Sequence, residues 1–194
     1  MAAKNVVGLD IGSSSIKVAH IKQTKKGGEL RAFDSIMLPP DTIRDGQVMH
    51  APQLSERIKE LFSLNKIRHK KVAVALSGHS VIIKKISLPE MTVEELEDSI
   101  QWEAEQYIPF DINDVNVDAQ IINANTGFGQ MDVLLVAAKK AVITEFLDVV
   151  RDAGVDPMIV DVDAFALYNA FELNFDVPEE DTTALINVGA ATIN

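Results

Sequence analysis

Val6-Val7-Gly8-Leu9-Asp10-Ile11-Gly12-Ser13-Ser14-Ser15-Ile16-Lys17 is the stretch on which the fold turns. Apolar Val6, Val7, Leu9 and Ile11 lead into a turn of small residues, and Ile16, Val18, Ala19 and Ile21 resume an extended apolar pattern. The pattern is that of a strand-turn-strand hairpin. Asp10 interrupts the run and is expected to be a buried acid beside the turn, which is costly unless a cation or hydrogen-bond donors meet it. A metal–nucleotide would serve. Gly12, Ser13, Ser14 and Ser15 can present backbone N–H groups and hydroxyls in a concave turn of the kind that cradles phosphate oxygens, and Lys17 adds a positive charge. An ordinary tight hairpin with a satisfied aspartate fits the same residues.

The order recurs at the other end of the sequence. Ala184-Leu185-Ile186-Asn187-Val188-Gly189-Ala190-Ala191-Thr192-Ile193-Asn194 again runs from an apolar strand through a polar residue to glycine, small residues and a β-branched residue. A duplicated strand-turn-strand is not a requirement of globular folding in general. Asn187, Gly189 and Ala190 are the counterparts of Asp10, Gly12 and Ser13.

Composition bounds the rest. With 194 residues the chain can hold one sizeable core or two small domains, and 47% hydrophobic with 24% charged residues is a globular balance. The chain has no cysteine, which excludes a disulfide framework and a thiolate site. Met-Ala-Ala-Lys-Asn lacks the apolar core of a signal peptide, and no apolar run reaches the length of a bilayer span, so a cytoplasmic protein without direct membrane insertion is expected. The net charge of −11 is uneven: 15 Lys and Arg face 7 Asp and Glu up to Pro89, and 3 face 22 from Glu90 on. Two solvated faces that partly neutralise each other account for this, as do two surfaces for different partners. The basic residues are not interleaved with aromatics, which argues against nucleic acid as a partner.

Between the two turns the pattern alternates strand and helix. A turn at Lys25-Lys26-Gly27-Gly28-Glu29, a strand from Leu30 to Leu38, a loop with Asp45-Gly46 and a helix from Pro52 with Leu54, Ile58, Leu61 and Phe62 on one face are expected in that order. A basic linker, Lys66 to Lys71, leads into the buried strand Val72 to Leu76. The pattern restarts at Val81 with a strand to Leu88. Thr92 and Glu95 then form a capping box for an acidic amphipathic helix whose stripe is Val93, Leu96, Ile100, Ala104 and Tyr107. Segments 115–124 and 131–138 pair around Asn125-Thr126-Gly127. A helix with Val142, Phe146, Val149 and Val150 follows, ending at Gly154, and a strand from Met158 to Val162 comes next. Asp163 is the expected cap of a helix, Ala164 to Leu173, with apolar residues on several faces and therefore expected to be buried; an acidic loop, Pro178 to Asp181, follows it. The unit at 81–157 has the character of an insertion, flanked by 1–80 and 158–194.

The paired turns resemble the two phosphate loops of the actin-like ATPase superfamily, in the spacing of Asp10, Gly12, the serines and Lys17. The inserted unit resembles that of the division protein FtsA. The resemblance narrows to the PilM family, FtsA-like cytoplasmic proteins of type IV pilus assembly: Ser99-Ile100-Gln101-Trp102-Glu103-Ala104-Glu105-Gln106-Tyr107-Ile108-Pro109-Phe110 looks like that family's inserted-domain helix, and Leu134 to Lys140 like the strand after it. It implies an α/β, actin-like (ribonuclease H-like) ATPase fold, first half, with an FtsA-like inserted α+β subdomain. It further implies ATP and Mg as cofactors, and docking of the cytoplasmic N-terminal tail of the membrane protein PilN. The protein would then be peripheral to the inner membrane, joined to the pilus assembly machinery through that partner.

Carried onto this sequence, the resemblance has Asp10 orient Mg²⁺ through water. Gly12, Ser13, Ser14 and Ser15 face the phosphates, Lys17 offsets their charge, and Gly189 and Ala190 approach the γ-phosphate. The superfamily commonly has aspartate where this chain has Asn187, and an amide brings no negative charge to metal or attacking water. Binding with slow or absent hydrolysis is therefore expected, with no catalytic residue assigned. The family's second half supplies the adenine pocket, so these residues are expected to hold phosphate loops without a base site. Trp102, off the apolar stripe of its helix, is a candidate for partner binding; packing against a neighbouring strand is its plainer role. Alternatives on the same fold are an FtsA-like filament former and a small-metabolite kinase. The kinase would need a catalytic base, and His20, His50, His69 and His79 are scattered along the chain.

Overall fold

The computed structural model describes residues 6–25, 27–44, 46–76, 81–178, 180 and 182–193. His79, Asn194, Lys26, Asp45 and parts of the 178–181 loop, all named above, lie outside the described residues. The chain forms two compact units, Met1–Gly78 with Glu145–Asn194, and His79–Thr144. The second unit is shorter at its C-terminal end than the 81–157 expected from sequence. The helix over Lys140–Asp152 buries Phe146, Val149 and Val150, none of which joins the core of the second unit.

The first unit is a five-stranded mixed sheet. Strands β1 (Val7–Ile11), β2 (Ser15–Thr24) and β3 (Gly27–Met37) form an antiparallel meander, and β4 (Ile43–Arg44) and β5 (Gln47–Val48) make a small ribbon. Helix α1 (Ala51–Leu64) follows, then β6 (Lys71–Leu76), which lies parallel to β1. The sheet is completed by β10 (Asp156–Val162), parallel to β6, in the order β10-β6-β1-β2-β3. Three antiparallel strands extended on one side by parallel ones is the ribonuclease H-like arrangement.

Alternation along the strands sorts the two faces of this sheet. Val7, Leu9, Ile16, Val18, Val72, Val74 and Leu76 are buried. α1 covers that side with Leu54, Ile58, Leu61 and Phe62, each worth roughly 1.5–3 kcal/mol relative to exposure. Asp34, directly across from Val18, accepts a hydrogen bond at 2.8 Å from Asn65 at the C-terminal end of α1, so strand and helix are also tied at the rim. That bond, with one from the Ser35 N–H, holds the Asp34 carboxyl below its ordinary value. The opposite side of the meander carries Gly8, Asp10, Lys17, Ala19 and Phe33.

Helix α4 (Asp163–Glu172) contains no buried residue, against the expectation of a buried helix. It lies against β10 and β6, and Leu167 and Tyr168 are exposed. Its N-cap residue is Val162, which has no side chain to offer; Asp163 is the first helical residue and accepts from the Ala164 N–H instead.

The second unit is a three-stranded antiparallel sheet in the order β7-β9-β8, from β7 (Val81–Pro89), β8 (Val115–Gly127) and β9 (Gln130–Lys139). Helix α2 (Val93–Ala104) buries Leu96, Ile100 and Ala104 in a core with Ile86, Leu88, Met131, Val133, Leu135 and Ala137. The expected capping box is formed, with Glu95 N–H to Thr92 Oγ1 at 3.2 Å and Thr92 N–H to the Glu95 carboxylate at 2.8 Å. Those bonds from Thr92 hold the Glu95 carboxyl below its ordinary value. Val93, expected on the buried stripe, is exposed: it opens the helix before the stripe reaches the sheet. β8 and β9 meet at Phe128-Gly129, both left-handed at φ 57° and 71°, with Phe128 fully exposed. Helix α3 (Lys140–Asp152) begins directly after β9.

Candidate functional site: twin hairpin turns

The first turn is set by strand register. Ile11 pairs with Ile16 and Asp10 with Lys17, and the Gly12 N–H donates to the Ser15 carbonyl at 3.0 Å, closing a two-residue loop of Ser13 and Ser14. The Leu38 N–H donates to the Ser14 carbonyl at 2.8 Å, pinning the loop to the end of β3. Among the described residues, no partner engages the N–H groups of Ser13 and Ser14 or the hydroxyls of Ser13, Ser14 and Ser15. Those donors remain open to an external acceptor.

The second turn repeats the first residue for residue. Val188 bridges Ile193 in antiparallel fashion, and the Gly189 N–H donates to the Thr192 carbonyl at 2.8 Å. Ala190 and Ala191 stand where Ser13 and Ser14 stand, so this turn offers amides without hydroxyls. Close approach disfavours a side chain at both glycines, most at Gly189. A Cβ on Gly12 would lie 3.2 Å from the Ser15 carbonyl oxygen, and one on Gly189 only 2.9 Å from that of Thr192. In each case the crowded oxygen is the one the glycine's own N–H holds.

Asp10 is not the buried acid expected from sequence. Its carboxylate is 2.7 Å from the Lys17 ammonium, with side-chain exposures of 59% and 45% respectively. The reason is the two-residue period of β1: Val7 and Leu9 point into the core, so Gly8 and Asp10 point out, and register brings Lys17 to the same face. Burial therefore does not call for a bound cation. Lys17, expected beside phosphate, is committed to Asp10 instead. Asn187 is exposed at the equivalent place.

The donor set fits a phosphate better than it fits a closed metal cage. Open amides and hydroxyls of one sign converge at the first turn, whereas Asp10 is its one carboxylate, enough to orient a hydrated Mg²⁺ but not to enclose a bare one. Among the described residues no group of three or more His, Asp or Glu side chains could hold a metal ion.

Two further expectations are changed by the geometry. Trp102 is 74% exposed, which leaves little of its side chain covered by a neighbouring strand. His20 and His69 are not scattered: their rings stack with centroids 6.0 Å apart. The Val7–His20 register could have been anticipated from the hairpin, but the approach of the 66–71 linker could not. Among the described residues no helix is long and apolar enough to cross a membrane.

Comparison with known proteins agrees with this construction. The family model described as type IV pilus assembly protein PilM matches residues 8–194. A solved chain of a PilM–PilN type IV pilus biogenesis complex is 32% identical with a TM-score of 0.79, the match covering 88% of this chain and 51% of that one. The cytoplasmic domain of EpsL, an inner-membrane component of the type II secretion system of Vibrio cholerae, shares the fold at 18% identity and a TM-score of 0.56, over 90% of this chain and 60% of that one. The chain thus spans only part of each. The fold is the first half of an actin-like α/β fold with an FtsA-like inserted unit, and the chain belongs to the PilM family of type IV pilus assembly proteins.

Proposed function

We propose that this chain is the nucleotide-clamping and partner-docking part of a cytoplasmic scaffold in type IV pilus assembly, which binds ATP and the cytoplasmic tail of PilN and is not a turnover enzyme. The observation that carries the reading is the 32% identity, over 88% of the chain, to a protein solved in complex with PilN. The ATP part rests on the twin turns, with the β- and γ-phosphates taken by the open amides of Ser13 and Ser14 and by the hydroxyls of Ser13, Ser14 and Ser15. Gly12 and Gly189 let each turn close tightly on its own carbonyl.

In this reading Asp10 would hold a hydrated Mg²⁺ through water, and Lys17, released from Asp10, would offset phosphate charge. The metal, when bound, supplies charge neutralisation between the phosphates. Asn187 accepts and donates hydrogen bonds without adding negative charge, which leaves the attacking water poorly activated. Trp102, exposed on α2, is the candidate anchor for the PilN tail, and attachment to the inner membrane runs through that partner.

Calorimetric titration of a synthetic PilN-tail peptide into the protein, with and without Mg-ATP, tests both parts. Saturable peptide binding is expected. Failure of the peptide to bind in either condition refutes the docking reading, and steady ATP turnover at ordinary enzyme rates of about 1 s⁻¹ or more refutes the scaffold reading.

A further inference from the structure

Away from both turns, the first unit has a cavity of about 420 Å³ at the C-terminal end of α1, where Lys59, Lys66, Arg68 and Lys70 surround Phe62 and Ile67. No carboxylate among the described residues lines it. Among the described residues none of the four cations forms an ion pair, in contrast to Arg57, two residues before Lys59 on α1, which is held by Glu60 at 2.7 Å. Lys70 is the one with another contact, its ammonium 5.7 Å from the centre of the Phe62 ring. Four like charges around one small space repel one another; three of them come from the basic 66–71 segment, and Lys59 joins them from α1.

The bland account is that cations collect where a helix dipole ends in partial negative charge. The backbone weakens it. The Lys66 N–H donates to the Ser63 carbonyl at 3.0 Å and the Ile67 N–H to the Phe62 carbonyl at 2.9 Å, with Phe62 and Ile67 buried together. That is a complete Schellman closure, so the Phe62 and Ser63 carbonyls already have partners. Its left-handed position is occupied by Lys66, at φ 53°, where glycine is the usual residue. A strained lysine held at the rim of a cavity lined with cations points to a role for its side chain.

We infer that this cavity binds a compact anion bearing two or more phosphate charges, either free in solution or presented as a lipid headgroup. The forked guanidinium of Arg68 suits phosphate oxygens, three lysines supply point charges, and Phe62 with Ile67 gives an apolar floor for the carbon part of a phosphoester. The inference is independent of nucleotide binding at the twin turns.

The test uses the ¹⁵N-labelled chain and sodium pyrophosphate, followed by amide shifts. Saturable shifts at Ser63 and Lys66 to Lys70 are expected. Lys66→Gly relieves the left-handed strain and removes one charge, so it is expected to leave the melting temperature equal or higher while weakening binding about tenfold or more; Arg68→Glu, at an exposed site, is expected to abolish it. Co-sedimentation with phosphatidylcholine vesicles, with and without cardiolipin, whose headgroup carries two phosphates, separates the sources. Capture by the anionic vesicles alone, lost in Lys66→Gly, assigns a headgroup, and saturable pyrophosphate binding without capture assigns a free anion. No shift at 63–70 and no capture overturns the inference, as do shifts confined to Gly12–Ser15, equal binding by Lys66→Gly, or a polyglutamate peptide that competes at equal affinity.

Discussion

The exposed pair at the mouth of the first turn permits a quantitative prediction. Asp10→Asn and Lys17→Met, singly and together, form a double-mutant cycle on two directly opposed residues of β1 and β2. At 2.7 Å the gross Coulomb attraction is about 1.5 kcal/mol in water. Both side chains are more than a third exposed, so solvent screening and the cost of ordering a long lysine chain remove most of it. The expected coupling is about 0.5 kcal/mol, inside the range of roughly 0.2–1 found for opposed charges on strands. For a chain of this size that corresponds to a shift of roughly 1–2 °C in melting temperature, halved or more when salt approaches 1 M. Urea unfolding of the four proteins at low and high salt measures it. A coupling above about 2 kcal/mol, unchanged by salt, would refute the reasoning, because it would mean that the pair is desolvated and that the face of the sheet bearing it is covered. A weak pair matters for function: a contact this cheap to break does not hinder the arrival of a hydrated cation.

Other perturbations separate the parts of the fold. Leu135→Ala, at a fully buried position in the core of the second unit, is expected to cost about 3 kcal/mol by chemical denaturation; a loss below about 1 would mean that the core collapses to fill the gap. Thr92→Ala removes the cap of α2 and is expected to cost about 1 kcal/mol, read by the same method. Acidification follows from Asp34 and Glu95, whose carboxyls sit below their ordinary values in the folded state. Their contribution is complete above the ordinary carboxylate value of about 4 and is lost as pH falls through the depressed ones, so the melting temperature should be flat near neutrality and drop below about pH 4. Trp102→Ala is expected to change stability by less than about 0.5 kcal/mol, because the side chain is exposed, while weakening PilN-tail binding tenfold or more; unchanged peptide affinity would remove Trp102 from the docking site.

Much of this architecture is legible in the sequence because its signals are local. The capping box at Thr92 and Glu95, the period-two runs of β6 and β9, and the repeated glycine turn each need only a dozen neighbouring residues to be recognised. The same rule puts Asp10 at the surface: with Val7 and Leu9 inward, Asp10 must face outward, and the opposed Lys17 must meet it. What could not be read is whatever depends on distant cover. The apolar residues of α4 suggest a core helix, but it lies against β10 and β6 with none of its own residues buried. The Schellman closure at Lys66 gives no warning either, because the glycine that normally marks it is missing, and the convergence of Lys59 with Lys70 requires the chain to come back past the end of α1.

The position of β9 has a consequence for how the protein is made. It is the last strand of its unit to be synthesised and the middle strand of the sheet, so Val81 waits for Ala138 and Val115 for Lys139 before either edge has a partner. The β1-β2-β3 meander closes through short turns and can fold while the ribosome is still adding the helix that follows. The sheet of the second unit cannot. Until Lys139 has emerged, α2 and the strands on either side of it expose Ile86, Leu88, Leu96 and Ile100 together, which makes that interval the stage at which a nascent chain is most open to chaperones and to misassociation.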